Sequence, residues 1–307
     1  MASRRSRPPG LLAGEKALTS ALRTFFASDT PDLLVGVGDD CAVVRPRGDA
    51  IVLKTDPLVV GVHCAPGTPA RLIARKAVHR NLSDLAAIGA APDWVLATVL
   101  LPKGYPKRAR RELFVGLRAA ATAAGAVVVG GHTGGTPGPL TLSITVIGHL
   151  VGRPLLRSAA RAGDAIHVTG ALGGSGRGKH LRFRPRLAEG AWLARQRQTG
   201  AVIDVSDGLL IDLATVLARS GGLGAELFAD SLPIARAATG LTAAMTEGED
   251  YELLFTWRPG PAPRGKGILP VTARRPIGRV VAEPGIHLVT ADGRRQRLAV
   301  RGFEHAL

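Results

Sequence analysis

The stretch "AVIDVSDGLLIDLATVLARSGG" (201–222) decides the fold class. Residues 201–205 are apolar and mostly β-branched apart from Asp204, the pattern of a buried strand. From Gly208 onward the apolar residues take helical spacing, and Gly221-Gly222 close the run. A strand passing through Ser206, Asp207 and Gly208 straight into a helix is the building unit of an α/β chain. The start of that helix offers free amides and a partial positive charge, which suit a phosphate. Asp204 and Asp207 flank the point and can bring Mg²⁺ to it, because Mg²⁺ takes a few carboxylates and leaves its other positions to phosphates and water.

The same alternation runs through the rest of the chain. Residues 33–38, 50–56, 93–102 and 140–150 read as strands, and 69–90 and 106–125 as helices. Thr68 stands as N-cap of the first helix, Pro69 in its first turn and Gly89 at its end. "VVVGGHTGGT" (127–136) reads as a buried strand entering a glycine loop whose amides could cradle phosphate. An Arg- and Pro-containing stretch at 151–163 divides the chain into domains at 1–150 and 151–307. The second domain restarts with a strand at 165–170 and a glycine-rich turn. A helix at 185–198 follows, then the opening stretch, a helix-turn leading to "EGEDYELLFT" (247–256), and a loop-rich tail with two short strands.

Composition narrows the function. A chain of 307 residues with 46% hydrophobic content can bury a substantial core in about two domains. No apolar run of 18 residues occurs, so no membrane partner is expected. The basic start leads into an amphipathic pattern (Leu11 to Phe26) rather than a secretory core. Cys41 and Cys64 lack metal-type spacing, which fits a reduced, cytoplasmic protein. The net charge of +16 raises nucleic acid as a partner, but the cations are spread along the chain and aromatics make up only 4%. Nucleic acid is therefore not expected, and an anionic small substrate is equally served. Scattered histidines give no zinc pattern. No Gly-Lys-Ser/Thr follows the glycines at 130–135, and no Gly-x-Ser-x-Gly is present.

What remains is carboxylates clustered at predicted strand ends and loops: Asp39 and Asp40, Asp56, Asp84, Asp204 and Asp207, and Glu249 with Asp250. Any one of them alone reads more readily as a turn or a helix cap. Together they point to a hard cation. In "RKAVHRNLSDLAA", Asn81 and Asp84 share one helix face, with Lys76 and Arg80 on a neighbouring stripe.

With these motifs in place, the chain resembles the thiamine-monophosphate kinase family of the aminoimidazole-ribonucleotide synthetase-like superfamily. The matching stretches are "GVGDDCAVV", "KTDPLVVGVH", "RKAVHRNLSDLAAIGAAP", "VVGGHT", "GRPLLRSAARAGD", "HVTGALGGS", "VIDVSDGLLIDL", "EGEDYELLFT" and the terminal "RGFEHAL". The resemblance implies an α/β (α+β) two-domain fold with mixed sheets, and a homodimer formed through the N-terminal sheets. It implies direct phosphoryl transfer from ATP to thiamine monophosphate, with Mg²⁺ and without a covalent enzyme intermediate. The N-terminal domain (1–150) would bind ATP and Mg²⁺ and dimerise, and the C-terminal domain would complete the site. Carried over by position, Asp40, Thr55, Asp56, Asp84, Asp204 and Asp207 match metal-site residues. Gly131, His132, Arg157 and Ser206 fall at nucleotide positions, and His63, Glu249 and Phe303 at the thiamine side. Asp207, Asp84 and Lys54 are the candidates for the chemistry.

Three departures stand out against that pattern. Gly-His-Thr replaces Gly-Asp-Thr at 131–133, Lys54 replaces a small residue, and Glu247 replaces the first glycine of Gly-Gly-Glu-Asp, in a chain shortened after "ALGGSGRGKHLRF". Imidazole is a poor Mg²⁺ ligand. Losing one negative charge and gaining one positive charge suggests that Lys54 replaces a metal ion that His132 no longer binds. Alternative readings are phosphoryl transfer to another small substrate in the same cleft, or a non-catalytic nucleotide- or thiamine-phosphate-binding paralogue.

Overall fold

The structure, a computed structural model, describes residues 15–37 and 41–302. The chain falls into two compact units, residues 1–81 with 92–149, and residues 82–91 with 150–307.

The first unit begins with α1 (Glu15–Phe25), β1 (Leu33–Val35), β2 (Val43–Val44) and β3 (Ile51–Val59). These are followed by α2 (Ala70–Ile88), β4 (Ala90–Pro102), α3 (Lys107–Ala123), β5 (Val127–Thr136) and β6 (Thr141–Leu150). Four of these strands form a mixed sheet in the order β3-β6-β4-β5. β3 runs antiparallel to β6, and β4 parallel to β5. Pro57 lacks an N–H, which an edge strand such as β3 tolerates. Gly116 lets α3 approach α2, since a Cβ there would lie 2.9 Å from that of Ala74. Phe26 meets Phe114 edge-on at 6.4 Å, and Arg118 lies over the Phe25 ring.

The second unit holds β7 (Ala165–Val168), α4 (Lys179–Arg182), α5 (Leu187–Ala194), β8 (Thr199–Asp204) and α6 (Leu209–Arg219). Next come β9 (Gly224–Phe228), α7 (Leu241–Thr246), β10 (Leu253–Trp257), β11 (Gly278–Val281), β12 (Gly285–Val289) and β13 (Arg295–Arg297). All seven strands join one mixed sheet, β13-β12-β9-β11-β7-β10-β8. Both faces are covered. The apolar stripe of α6 (Leu209, Leu213, Val216) packs with Ile166, Ile203 and Leu254. On the other face Val202, Leu253 and Phe255 pack with Leu193 of α5 and with Ala86 and Ala87 of α2. Successive residues of β8 therefore serve opposite faces, and all six are buried. Gly190 is required where α5 crosses α2, because a Cβ would lie 2.0 Å from the Ala86 carbonyl oxygen.

Several expectations are corrected. The Thr68 hydroxyl donates to the Ala65 carbonyl at 2.7 Å rather than capping α2. β9 was not expected, and the tail holds three strands instead of two. Most consequentially, the glycine segment 130–136 is not a loop but the continuation of β5 along β4. A bulge at Val129 shifts the register between Val95 and Leu96. Gly131 then takes φ 141°, with a would-be Cβ only 2.0 Å from the Ala97 carbonyl oxygen. The glycines thus permit a bulge and a close strand approach. Gly131→Ala should lower stability by roughly 3 kcal/mol or leave the protein insoluble. Urea unfolding measures this, and a loss under about 0.5 kcal/mol would contradict the packing described.

Candidate active site

In the second unit, β8 ends at Asp204 and α6 begins after Gly208. The turn between them is folded around Asp212, one turn into the helix. Its Oδ2 accepts the amides of Ser206 at 3.0 Å, Asp207 at 3.1 Å and Gly208 at 3.2 Å. The amides expected to await a phosphate are therefore already engaged by a side chain, which corrects that reading. Burial, then the charges of Asp204 and Asp207, push the Asp212 carboxyl up from 3.8 to about 8, against the pull of its amide donors.

Asp204 is buried, and its Oδ2 accepts the Ser83 hydroxyl at 2.7 Å. Asp84 is the next residue along α2. Across the turn lies segment 247–252. The Glu249 amide donates to the Ser206 carbonyl at 2.7 Å, and the Tyr251 amide to that of Val205 at 2.8 Å. The structure thus gathers Asp204, Ser206, Asp207 and Glu249 in one place. The backbone of Gly302 also reaches it, since a Cβ there would fall 2.4 Å from the Asp207 carbonyl oxygen.

Segment 247–252 is held in an unusual conformation. Glu249 and Tyr251 have φ values of 64° and 53°, the left-handed region that non-glycine residues rarely enter. Side chains around it supply the restraint. His180 Nδ1 stands 3.0 Å from Glu249 Oε2, and the Phe183 and Tyr251 rings stack at 4.0 Å. Buried Asp250 accepts the Gly173 amide at 2.7 Å, the Ser175 hydroxyl at 2.5 Å and the Lys179 ammonium at 3.1 Å. Glu252 receives a forked Arg186 at 2.7 and 3.0 Å. Burial alone would raise the Glu252 carboxyl, but Arg186, Lys179 and Thr169 outweigh it and hold it below its usual range. Glu247 accepts the Gly174 amide, which gives that departure from the family pattern a structural role.

In the first unit, Lys54 and Asp56 share one face of β3, with Nζ 3.2 Å from Oδ2. The Thr55 hydroxyl turns to the opposite face, donating to the Ile144 carbonyl at 3.2 Å and accepting from the Thr145 hydroxyl at 2.9 Å. His63 Nδ1 accepts the Val59 amide at 2.9 Å. Lys76 is fully buried and donates to the His63 carbonyl, while Arg80 donates to that of Pro57 at 2.9 Å. Asn81 Nδ2 donates to the Ala77 carbonyl at 3.0 Å, and its buried Oδ1 finds no hydrogen-bond partner among the described residues.

Gly131 and exposed His132 lie on β5, the edge strand opposite β3. Three strand spacings, roughly 14 Å, separate the two edges within one protomer. Within one protomer the two departures therefore lie on opposite edges of the sheet. Arg157 is exposed, with its carbonyl accepting the Ser220 hydroxyl at 3.3 Å beyond the far end of α6 from Asp207. Asp40 and Phe303 lie outside the described residues. Among the described residues no three His, Cys, Asp or Glu side chains form a ready-made metal site. Sequence reading missed Asp212, His180, Lys179, Arg186 and Glu252. Only Asp212 had a signal, a carboxylate one helical turn beyond a Ser-Asp-Gly start.

Residues 38–150 match the family of AIR synthase related protein, N-terminal domain. A curated thiamine-monophosphate kinase from Rhodopirellula baltica is 37% identical over 296 residues, 90% of this chain and 92% of that protein. The chain belongs to the thiamine-monophosphate kinase family. Among solved structures, that of the Stenotrophomonas maltophilia enzyme has a TM-score of 0.75 at 33% identity, covering 87% of this chain and 93% of that one. AaThiL complexed with AMPPCP and TMP has a TM-score of 0.73 at 26% identity, covering 99% of this chain and 100% of that one. Hydrogenase maturation protein HypE, 18% identical with a TM-score of 0.76, shares the fold.

The Asp212 shift has a consequence for stability. Below about pH 4 this carboxyl is protonated in both folded and unfolded chains. Between there and about pH 8 only the unfolded chain releases the proton, so stability falls as pH rises. In chelator, the melting temperature should decline from pH 5 to 8, and Asp212→Asn should flatten that decline. Equal slopes by calorimetry would contradict the assignment.

Proposed function

We propose that this protein transfers the γ-phosphoryl group of ATP to thiamine monophosphate, giving thiamine diphosphate and ADP. The observation that carries the reading is the carboxylate turn at 204–212, joined to segment 247–252, in a chain of this family. The acceptor's phosphate oxygen forms a bond to the γ-phosphorus as the bridging β–γ oxygen bond breaks. That oxygen leaves on ADP, and no group on the protein is modified. The protein's contribution is positioning and charge.

Mg²⁺ fits the residues present. Asp84, Asp204 and Asp207 are hard oxygen donors within the second unit, while Asp40, Thr55 and Asp56 of the first unit are assigned to cations by the family resemblance. The Asp212 carboxyl, raised by burial and then by Asp204 and Asp207, stands among negative charge that a cation would balance. With no ready-made cluster among the described residues, the ion would arrive with the nucleotide's phosphates. Once bound, it would neutralise charge on the transferring group. Asp212 holds the turn that aims Asp207, and Ser83 holds Asp204. Ser206, Gly131, His132 and Arg157 are assigned to the nucleotide. Glu249, His63 and Phe303 are assigned to the acceptor, where a carboxylate suits a cationic ring.

The reading extends to a homodimer in the cytoplasm. On the edge strand β3, Ile51 and Leu53 are 57% and 70% exposed, an apolar stripe that a second copy would cover. No helix among the described residues is long and apolar enough to cross a membrane. Light scattering should give twice the chain mass, and Leu53→Glu should halve it. A monomeric wild type would end the dimer reading.

Incubation with ATP, Mg²⁺ and thiamine monophosphate should yield thiamine diphosphate. Asp207→Asn should lower the rate roughly 100-fold or more. ATP binding without product, or undiminished turnover by the variant, would overturn the assignment.

A further inference from the structure

We infer that Lys54 is a resident cation of the site: its ammonium takes the place on Asp56 that a divalent ion would otherwise hold. The inference rests on the proposed reaction, which makes Asp56 a cation ligand. It is carried by one contact, Lys54 Nζ 3.2 Å from Asp56 Oδ2. The two residues lie two apart on β3, so the strand's own alternation sets both side chains on one face. Their side chains are about equally half-buried, at 30% and 29% exposure. The pair is therefore set by backbone geometry and is not a chance meeting of long surface side chains.

An ammonium on a carboxylate oxygen competes with a metal in two ways. It occupies a lone-pair direction that the metal would use, and its charge repels a second cation close by. Unlike a metal ion, it is tethered and cannot leave with the product. Lysine also meets phosphate as a point charge, so the substitution is compatible with the anionic substrates proposed. Of the nearby cations, Lys76 donates to the His63 carbonyl and Arg80 to that of Pro57. Position 132, on the opposite edge strand, plays no part in this contact within the protomer.

The test is a count of metal ions. Mn²⁺ is titrated into the full-length protein with AMPPCP, and free Mn²⁺ is followed by electron paramagnetic resonance. Lys54→Ser should bind one Mn²⁺ more per chain than wild type, or bind its weakest ion at least tenfold more tightly. Lys54→Arg, which keeps the charge, should match wild type. Position 54 lies on a partly exposed edge strand, and matching thermal melts establish that the variants fold. Should Lys54→Ser misfold, Lys54→Met is measured in its place. Equal stoichiometry and affinity in wild type and the charge-removing variant would overturn the inference while leaving the proposed reaction standing. Failure of wild type and variant alike to bind Mn²⁺ with AMPPCP would overturn both.

Discussion

One carboxylate holds the turn on which the site depends. Asp212 reaches back from the first turns of α6 and ties down three successive amides, fixing the path from β8 into the helix. The cost is electrostatic. A buried acid stands beside Asp204 and Asp207, and burial first, then the like charges, push its carboxyl up to about 8. Three acids so close are a poor arrangement for stability and a good one for receiving a cation. On the proposed reading, a divalent ion arriving with its phosphates would relieve that crowding of charge.

The surrounding fold keeps that crowding in place. β8 lies at one end of the seven-stranded sheet with both faces covered, so Asp204 cannot swing into water. Its hydroxyl partner, Ser83, comes from α2, whose last residues pack under the sheet through Ala86, Ala87 and the close crossing at Gly190. On the other side, the ion pairs of Asp250 and Glu252 hold Glu249 and Tyr251 in left-handed backbone. Strain of this kind persists only where neighbours over-determine it. Here the neighbours are Lys179, His180, Phe183 and Arg186, all from the short stretch between β7 and α5.

Much of this was legible in the sequence. The strand-to-helix passage at 201–222, with Asp204 closing β8, and the helix over 69–90 follow from periodicity and turn chemistry, whereas Asp56 lies inside β3 and Asp84 inside α2 rather than at strand ends. The opacity elsewhere has physical causes. "VVVGGHTGGT" looked like a loop because glycine pairs signal turns, whereas here they relieve a bulge and a 2.0 Å approach of β5 to β4. Asp212 looked like an ordinary first-turn helix acid, and its role depends on a bend that spacing alone does not show. His180 and Arg186 gained their roles from residues some 66 to 69 positions away, a pairing no local pattern encodes. The resemblance to a known family supplied the roles of Asp56 and Glu249, which single motifs left open.

The central claim is that the acids around the 204–212 turn are completed by a divalent cation carried with nucleotide phosphates. Calorimetric titration of AMPPCP with and without Mg²⁺, on wild type and Asp204→Asn, tests it most directly. The account predicts binding that requires Mg²⁺ and is lost or strongly weakened in the variant. Equally tight binding in chelator, unaffected by the substitution, would contradict it.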